Sequence, residues 1–95
     1  MALTEMLFVF AYDVSRDSAR RRIVAVLEQK LSRTQDSVFE GWLKPNAARQ
    51  LARLASAEMG DEDSLRVFAV PRVMLKHCST FGPLPIMEPH DFWLL

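Results

Sequence analysis

The pattern of apolar and polar positions predicts a short strand close to the start of the chain. Six apolar residues run without interruption from Met6 to Ala11, and Tyr12 and Asp13 follow them directly. A run this short, rich in Val and Phe, favours a strand over a helix. Because side chains alternate along a strand, apolar residues lie on both of its faces. Helices of the same chain can cover one face, so we expect a second copy of the chain to cover the other.

Further along the chain, helical spacing and two-residue alternation predict the remaining elements. We expect a first helix over residues 18–31 and a second that begins at residues 44–46 and ends at Gly60. Alternation predicts one long strand over residues 33–43, with Gly41 marking a bulge. Further strands are expected over residues 64–70 and 76–81, with a single helical turn at 72–75 between them.

We assign the chain to the α+β class with the ferredoxin-like order strand, helix, strand, strand, helix, strand (βαββαβ), although the patterns above predict one strand between the helices and two after the second. This architecture leaves one face of the sheet without helices, which agrees with the doubly apolar first strand and predicts a homodimer through the open sheet face. Residues 1–82 are assigned to this domain and 83–95 to a Pro-rich tail. The tail ends in four large apolar residues, and we expect an additional C-terminal strand there, added to a sheet edge.

Composition narrows the classes of protein to be considered. The 95 residues are 49% apolar and 25% charged, as in an ordinary globular domain. No apolar run approaches the roughly 20 residues that span a bilayer, and the N-terminus lacks a signal-peptide pattern. The single cysteine, Cys78, suits a reducing compartment. We therefore expect a cytoplasmic protein without a membrane partner.

Charge is distributed unevenly although the net charge is zero. Residues 1–53 contain nine Lys or Arg against six Asp or Glu, and residues 54–95 contain three against six. Arg16, Arg20, Arg21 and neighbouring Arg22 crowd the start of the first helix, where positive charge opposes the helix dipole. Phosphate binding is one benefit that offsets this cost. Pairing with nearby carboxylates, on an ordinary solvated helix face, is the alternative, and both interpretations stay open.

Asp13 is the acidic residue best placed for chemistry, because it lies where the first strand leaves the core. Two copies of Asp13 would face each other across the axis of a two-fold dimer. Mg²⁺ accepts one or two carboxylates together with water and substrate phosphates, and it activates water for phosphodiester hydrolysis. Alternatively, Asp13 caps the helix or pairs with an arginine. Tyr12, Phe39 and Trp42 are candidates for stacking on bases, although core or dimer packing is the favoured interpretation for Phe39.

Three motifs in order resemble the CRISPR-associated protein two family. Residues 11–15, Ala-Tyr-Asp-Val-Ser, precede the basic helix as in the opening of that family. Residues 33–41, Arg-Thr-Gln-Asp-Ser-Val-Phe-Glu-Gly, are similar to its second strand, and residues 63–68, Asp-Ser-Leu-Arg-Val-Phe, to its third. The resemblance covers residues 6–70 and fades after them.

The resemblance implies a ferredoxin-like homodimer whose C-terminal strands are exchanged or added between protomers. It further implies a role in spacer acquisition, where the dimer binds DNA and bridges dimers of the integrase, CRISPR-associated protein one. Some members are Mg²⁺-dependent endonucleases on single-stranded RNA or double-stranded DNA. In such a member Asp13 would hold the metal across the two-fold, supported by Tyr12, Arg20, Arg33 and Phe39, while Arg16 and Arg21 of the basic helix would meet phosphates.

Two other functions are compatible with the same sequence. One is a toxin-like ribonuclease of this fold that acts alone on cellular RNA. The other is a ferredoxin-like regulatory dimer that binds no nucleic acid, since this fold hosts many unrelated functions.

Overall fold

A computed structural model describes residues 4–86 and places the predicted first strand at the centre of a sheet. The elements, in chain order, are β1 (Met6–Asp13), α1 (Asp17–Leu27), β2 (Ser32–Gln35), β3 (Val38–Leu43), α2 (Pro45–Ser56), β4 (Ser64–Val70) and a 3-10 helix (Arg72–His77). Neither α-helix, nor any other helix of residues 4–86, is long and apolar enough to cross a membrane.

The sheet has four strands in the order β2-β3-β1-β4, and every neighbouring pair is antiparallel. β1 is hydrogen-bonded to β3 along one edge and to β4 along the other. With one helix after β1 and one after β3, this is the ferredoxin-like arrangement, so the predicted fold class is confirmed. The predicted strand over residues 64–70 is confirmed as β4.

The core lies between the helices and one face of the sheet. β1 contributes Phe8, Phe10 and Tyr12 to it, since these alternate residues point to the same side. Phe10 pairs with Phe39 of β3, and neither side chain is exposed to solvent. The helices cover this layer with small and branched apolar residues: Ala19, Ile23, Leu27, Ala48, Leu51 and Ala55. Because these residues recur at helical spacing, they form an apolar stripe along each helix, and the two stripes bury this face of β1.

Residues 33–43 form a hairpin, so the prediction of one long strand is wrong. The chain turns at Asp36 and Ser37, a pair of residue types that favours turns. The backbone N–H of Tyr12 donates to the Ser37 carbonyl at 3.0 Å, which holds the turn against β1. The irregularity in pairing lies between Arg33 and Gln35 of β2 rather than at Gly41. This hairpin supplies the two consecutive strands of the ferredoxin-like order.

The expected strand over residues 76–81 is also wrong. The 3-10 helix extends to His77, and residues 78–86 are irregular. The turn begins at Pro71, whose carbonyl accepts from the Met74 N–H at 2.9 Å, as 3-10 geometry requires. α2 ends at Ser56, before the predicted limit at Gly60. The predicted C-terminal strand falls largely in residues 87–95, which lie outside the described residues.

The second face of the sheet is covered at one end and open at the other. Leu7 and Trp42 are paired neighbours on this face and are almost fully buried. The guanidinium of Arg72, at the start of the 3-10 helix, lies 5.4 Å from the centre of the Trp42 ring. Towards the Asp13 end, Phe68 of β4 is 51% exposed, and no helix of residues 4–86 lies over it. We call the apolar surface around Val9, Ala11 and Phe68 the open face.

Gly41 permits a close approach between β3 and the chain that follows α1. It pairs with Phe8 and so lies on the helix side of the sheet. A Cβ atom at this position would lie 2.7 Å from Cδ2 of Leu31 and 3.2 Å from the Lys30 carbonyl oxygen. Leu31 is itself buried, so it has little room to move away.

We therefore expect Gly41→Ala to lower the free energy of unfolding by about 1–3 kcal/mol, as overpacking of a filled core does. The control is Gly60→Ala, where the nearest atom to an added Cβ is Asp63 Oδ2 at 3.5 Å, an ordinary contact. That variant should stay within about 0.5 kcal/mol of wild type. Urea unfolding at fixed protein concentration compares the three proteins, and equal stability of the two variants would contradict this packing argument.

Candidate functional site

Asp13 is the last residue of β1, and its side chain is exposed. Its partner across the ladder is Ser64, the first residue of β4. Because side chains alternate, Asp13 points to the same side as Ala11 and Val9, at the end of the open face. Tyr12, the preceding residue, points into the helix layer. The structure therefore separates two neighbouring residues that the sequence predicted to serve one site.

Tyr12 is buried and its hydroxyl is used twice within the chain. It donates to the carbonyl oxygen of Asp36 at 3.1 Å and accepts from Nη2 of Arg33 at 3.2 Å. Its ring lies 6.3 Å from the ring of Phe39, with 30° between the ring planes. These contacts join β1 to the turn between β2 and β3. The Tyr12 ring thus packs inside the protein rather than presenting a face to a base.

Arg33 lies over the same cluster from the outside. Its guanidinium is 5.3 Å from the centre of the Phe39 ring, a cation–π contact. The hydrogen bond with Tyr12 raises the pKa of Arg33 above its ordinary value, and the guanidinium is cationic, as arginine always is in proteins. Phe39 itself is fully buried. The interpretation of Phe39 as a packing residue therefore agrees with the structure, and Arg33 is the charged group that this cluster presents to solvent.

Arg20 holds the loop that follows Asp13. Its Nη1 donates to the carbonyl oxygens of Val14 at 3.0 Å and Ser15 at 2.9 Å, and its second terminal nitrogen forms an ion pair with Asp17. Pairing with a nearby carboxylate, one of the two interpretations of the basic helix, therefore applies to Arg20. The guanidinium of Arg20 therefore already has hydrogen-bond acceptors within the chain and does not depend on a ligand for them.

Arg16 and Arg21 differ from Arg20 in their surroundings. Both are exposed, and neither makes an ion pair with another residue of the range 4–86. Arg21 lines a cleft of about 670 Å³ between α1 and the turn joining β2 to β3, together with Arg20 and Arg33. The carboxylates of Asp17, Glu28 and Asp36 also line it. The cleft is thus of mixed charge, and Arg21 is its lining cation on α1 that forms no ion pair within residues 4–86.

Asp63 is a residue whose role the sequence did not indicate. One oxygen of its carboxylate accepts from the backbone N–H of Ser15 at 3.3 Å, and the other accepts from that of Gly60 at 2.8 Å. The contact with Ser15 joins residues 48 positions apart. No local pattern reveals such a contact, although the Asp-Ser-Leu-Arg motif that begins at Asp63 had marked the segment.

The donors available for a metal ion are oxygens, and Asp13 contributes one carboxylate per chain. Within residues 4–86 there is no group of three or more His, Cys, Asp or Glu side chains that could hold an ion. Mg²⁺ is commonly bound by one or two carboxylates while water and phosphate oxygens complete its shell. The single Asp13 carboxylate has the chemistry of a Mg²⁺ ligand, but it does not by itself form a closed metal site.

Comparison with known proteins identifies relatives of the whole domain. Residues 6–76 match the family model described as CRISPR associated protein Cas2. The chain is 36% identical over 90 residues to the CRISPR-associated endoribonuclease Cas2 2 of Synechocystis sp., covering 93% of this chain and 97% of that protein.

Solved structures agree with this match. A chain of a partial Cas6-RT-Cas1–Cas2 complex superposes with a TM-score of 0.68 at 26% identity, covering 87% of this chain and 98% of that one. The crystal structure of Streptococcus pyogenes Cas2 at pH 6.5 has the same TM-score of 0.68, covering 81% of this chain and 100% of that one; at 20% identity it supports the fold alone. The resemblance noted from three sequence motifs is confirmed: the chain belongs to the CRISPR-associated protein Cas2 family.

Proposed function

We propose that this protein is a subunit of CRISPR adaptation, a nucleic-acid-binding homodimer that bridges integrase subunits during spacer acquisition and has a Mg²⁺-dependent endonuclease site at Asp13. The observation that carries the proposal is the family match over residues 6–76, which includes every strand of the sheet and both α-helices. The elements that present Asp13, Arg16 and Arg21 all lie inside the matched range.

The homodimer is supported by the open face. Val9 and Ala11 of β1 lie there beside Phe68 of β4, and half of the Phe68 side chain is in contact with solvent. An aromatic side chain exposed on a sheet face that carries further apolar residues favours contact with another protein surface. A second copy of the chain brings the same apolar surface and buries both, as a two-fold interface does.

Glu40 limits where the two sheets would meet. It lies on β3 opposite Val9, and partial burial raises its pKa above the ordinary value, with a hydrogen bond from Thr34 acting in the other direction. Burying an ionised carboxylate further is costly. We therefore expect the contact to centre on the pair formed by Val9 of β1 and Phe68 of β4, with the exposed Arg66, opposite Ala11 on the same face, at its edge. A two-fold axis that passes near the Asp13 end of β1 would bring the two Asp13 residues close enough to share a cation.

The integrase is proposed as a partner because a structural relative at 26% identity is a chain of a complex that contains both Cas1 and Cas2. The bridging role needs two copies of a surface related by a two-fold axis, which the proposed homodimer provides. Bridging requires no catalytic step, so a protein that does not cleave nucleic acid can still perform it.

The endonuclease activity is supported by the name of the Synechocystis relative, an endoribonuclease, and by the exposed carboxylate of Asp13. Asp13 from each chain would hold the divalent ion. A bound Mg²⁺ supplies charge stabilisation at the phosphate and lowers the pKa of a coordinated water. The chain itself contributes the placement of Asp13: the ladder with β4 fixes its backbone, and Arg20 holds the two carbonyls that follow it.

Contact with the nucleic-acid backbone is assigned to Arg16 and Arg21. Both cations are exposed and make no ion pair with residues 4–86, whereas Arg20 and Arg33 are hydrogen-bonded within the chain. Positive charge at the start of a helix opposes the helix dipole, and a bound phosphate removes that conflict. Nucleic-acid binding should therefore depend on these two residues and on ionic strength.

For the endonuclease, we expect Asp13→Asn to reduce Mg²⁺-dependent cleavage of labelled single-stranded RNA and duplex DNA to the level seen without metal. The amide keeps the size of the side chain and removes the charge that attracts the ion. Asp61→Asn is the control, since it removes one exposed carboxylate from the connection between α2 and β4. Equal cleavage by both variants, or no cleavage by wild type, would contradict an enzymatic site at Asp13 and leave the bridging role.

For nucleic-acid binding, we expect the double variant Arg16→Ala/Arg21→Ala to bind duplex DNA more weakly and with a shallower dependence on salt. The slope of log K against log salt should decrease by about 0.9 for each phosphate that the variant no longer neutralises. The double variant Arg49→Ala/Arg53→Ala changes the charge equally on exposed positions of α2 and should leave the slope unchanged. Fluorescence anisotropy across a salt series measures both. Identical slopes for the two double variants would assign phosphate binding to other residues.

A further inference from the structure

We propose that Asp63 is a positioning residue for Asp13: its carboxylate fixes the backbone segment that presents Asp13 to a divalent cation. The inference rests on the proposed function, because it concerns the same metal site. It adds a residue from the connection between α2 and β4, distant in sequence from Asp13, on which the strength of cation binding depends.

The geometry is a closed ring of backbone and side-chain contacts. Asp13 pairs across the ladder with Ser64, which directly follows Asp63. Asp63 in turn accepts a hydrogen bond from the N–H of Ser15, two residues beyond Asp13. The ring thus runs from Asp13 through Val14 to Ser15, across to Asp63, and back through Ser64. A ring this short leaves the Asp13 backbone few alternative conformations.

The ring is also anchored on its other sides. Val14 is almost fully buried and belongs to the core cluster, so the middle of the segment cannot move outwards without loss of packing. Arg20 donates to the carbonyls of Val14 and Ser15, whereas Asp63 accepts from the N–H of Ser15. The carbonyl groups of this loop are therefore bound by a side chain of α1, and the N–H group of Ser15 is bound by a side chain of the connection between α2 and β4. Removing the Asp63 carboxylate releases Ser15 from the connection between α2 and β4, while the contacts with Arg20 and the pairing of Asp13 with Ser64 remain.

A carboxylate suits this position better than other polar side chains. Two backbone N–H groups, of Ser15 and Gly60, point at Asp63, and its two oxygens accept one bond each. Asparagine offers one acceptor oxygen and a donor amide, so it can satisfy one of the two groups, and alanine satisfies neither. Hydrogen bonds to an ionised acceptor are also stronger than neutral ones. Replacing Asp63 with asparagine should therefore weaken the hold on the loop less than replacing it with alanine.

The direct test is binding of Mn²⁺ to the full chain, followed by electron paramagnetic resonance, with Mn²⁺ as the probe for a divalent cation. Residues that hydrogen-bond directly to a metal ligand typically change metal affinity by about 10- to 100-fold, and Asp63 acts less directly, on the backbone beside Asp13. We expect Asp63→Ala to raise the Mn²⁺ dissociation constant by roughly 10-fold, at the lower end of that range. Asp63→Asn should lie between Asp63→Ala and wild type, since it keeps one acceptor.

The matched control is Glu58→Gln, which also removes one negative charge from a surface carboxylate. Glu58 is 2.7 Å from Arg22, and this ion pair joins α1 to the end of α2 at a place separate from the ring. We expect this variant to bind Mn²⁺ as wild type does. Thermal unfolding of all variants, recorded at the same protein concentration, separates a local effect on Asp13 from a general loss of stability.

The outcomes distinguish this inference from the proposal on which it rests. If Asp13→Ala abolishes Mn²⁺ binding while Asp63→Ala binds as wild type does, the positioning role is wrong and the metal site stands. If Asp13→Ala and wild type bind equally, or neither binds, the metal site itself fails and the inference fails with it. An equal loss of binding in Glu58→Gln and Asp63→Ala would assign the effect to charge or stability and overturn the positioning role.

Discussion

β1 is hydrogen-bonded along both of its edges, and the rest of the structure depends on this double pairing. A strand in the centre of a sheet has no free edge, so its side chains can be buried on two faces. On one face, Phe8 and Phe10 pack against the helices. On the other, Leu7 is covered with Trp42 at one end, while Val9 and Ala11 continue towards Asp13 on a face that no helix of residues 4–86 covers. The proposed homodimer would cover this remaining apolar part of the open face.

The two-residue period of β1 also separates the roles of Tyr12 and Asp13. Tyr12 points into the helix layer, where its hydroxyl joins Arg33 to the turn at Asp36. Asp13 points to the opposite side, at the end of the open face. The contacts among Tyr12, Arg33 and Phe39 therefore stabilise the hairpin and, through it, the sheet. They are supports of the architecture that carries Asp13, rather than groups placed beside its carboxylate.

Much of this was predictable from local patterns. β1, both helices and β4 follow from apolar periodicity, and the family follows from three motifs carried by β1, the hairpin and β4. The hairpin was missed because residues 33–37 also fit the polar alternation of a strand, although Asp36 and Ser37 are residue types that favour turns. The contacts that hold the turn come from Tyr12, 24 and 25 positions away. The role of Gly41 was missed for a similar reason, since the close neighbour is Leu31 on a different segment.

The site was less predictable than the fold. The sequence indicates Asp13, Arg16 and Arg21 as polar groups near the end of a strand and the start of a helix. It does not show that Arg20 donates to the carbonyls of Val14 and Ser15, contacts only six and five positions apart that no apolar pattern marks. Nor does it show that Asp63, in the connection between α2 and β4, accepts from Ser15, because that contact joins residues 48 positions apart and depends on the packing of β4 against β1.

The central claim is that two copies of the chain meet through the open face, and the oligomeric state tests it most directly. Phe68 on the open face and Leu54 on α2 are exposed to nearly the same degree, 51% and 50%, so Phe68→Glu and Leu54→Glu form a matched pair. Sedimentation equilibrium should give a dimer for wild type and for Leu54→Glu, and a folded monomer for Phe68→Glu. A monomeric wild type, or a dimer in all three, would contradict the account.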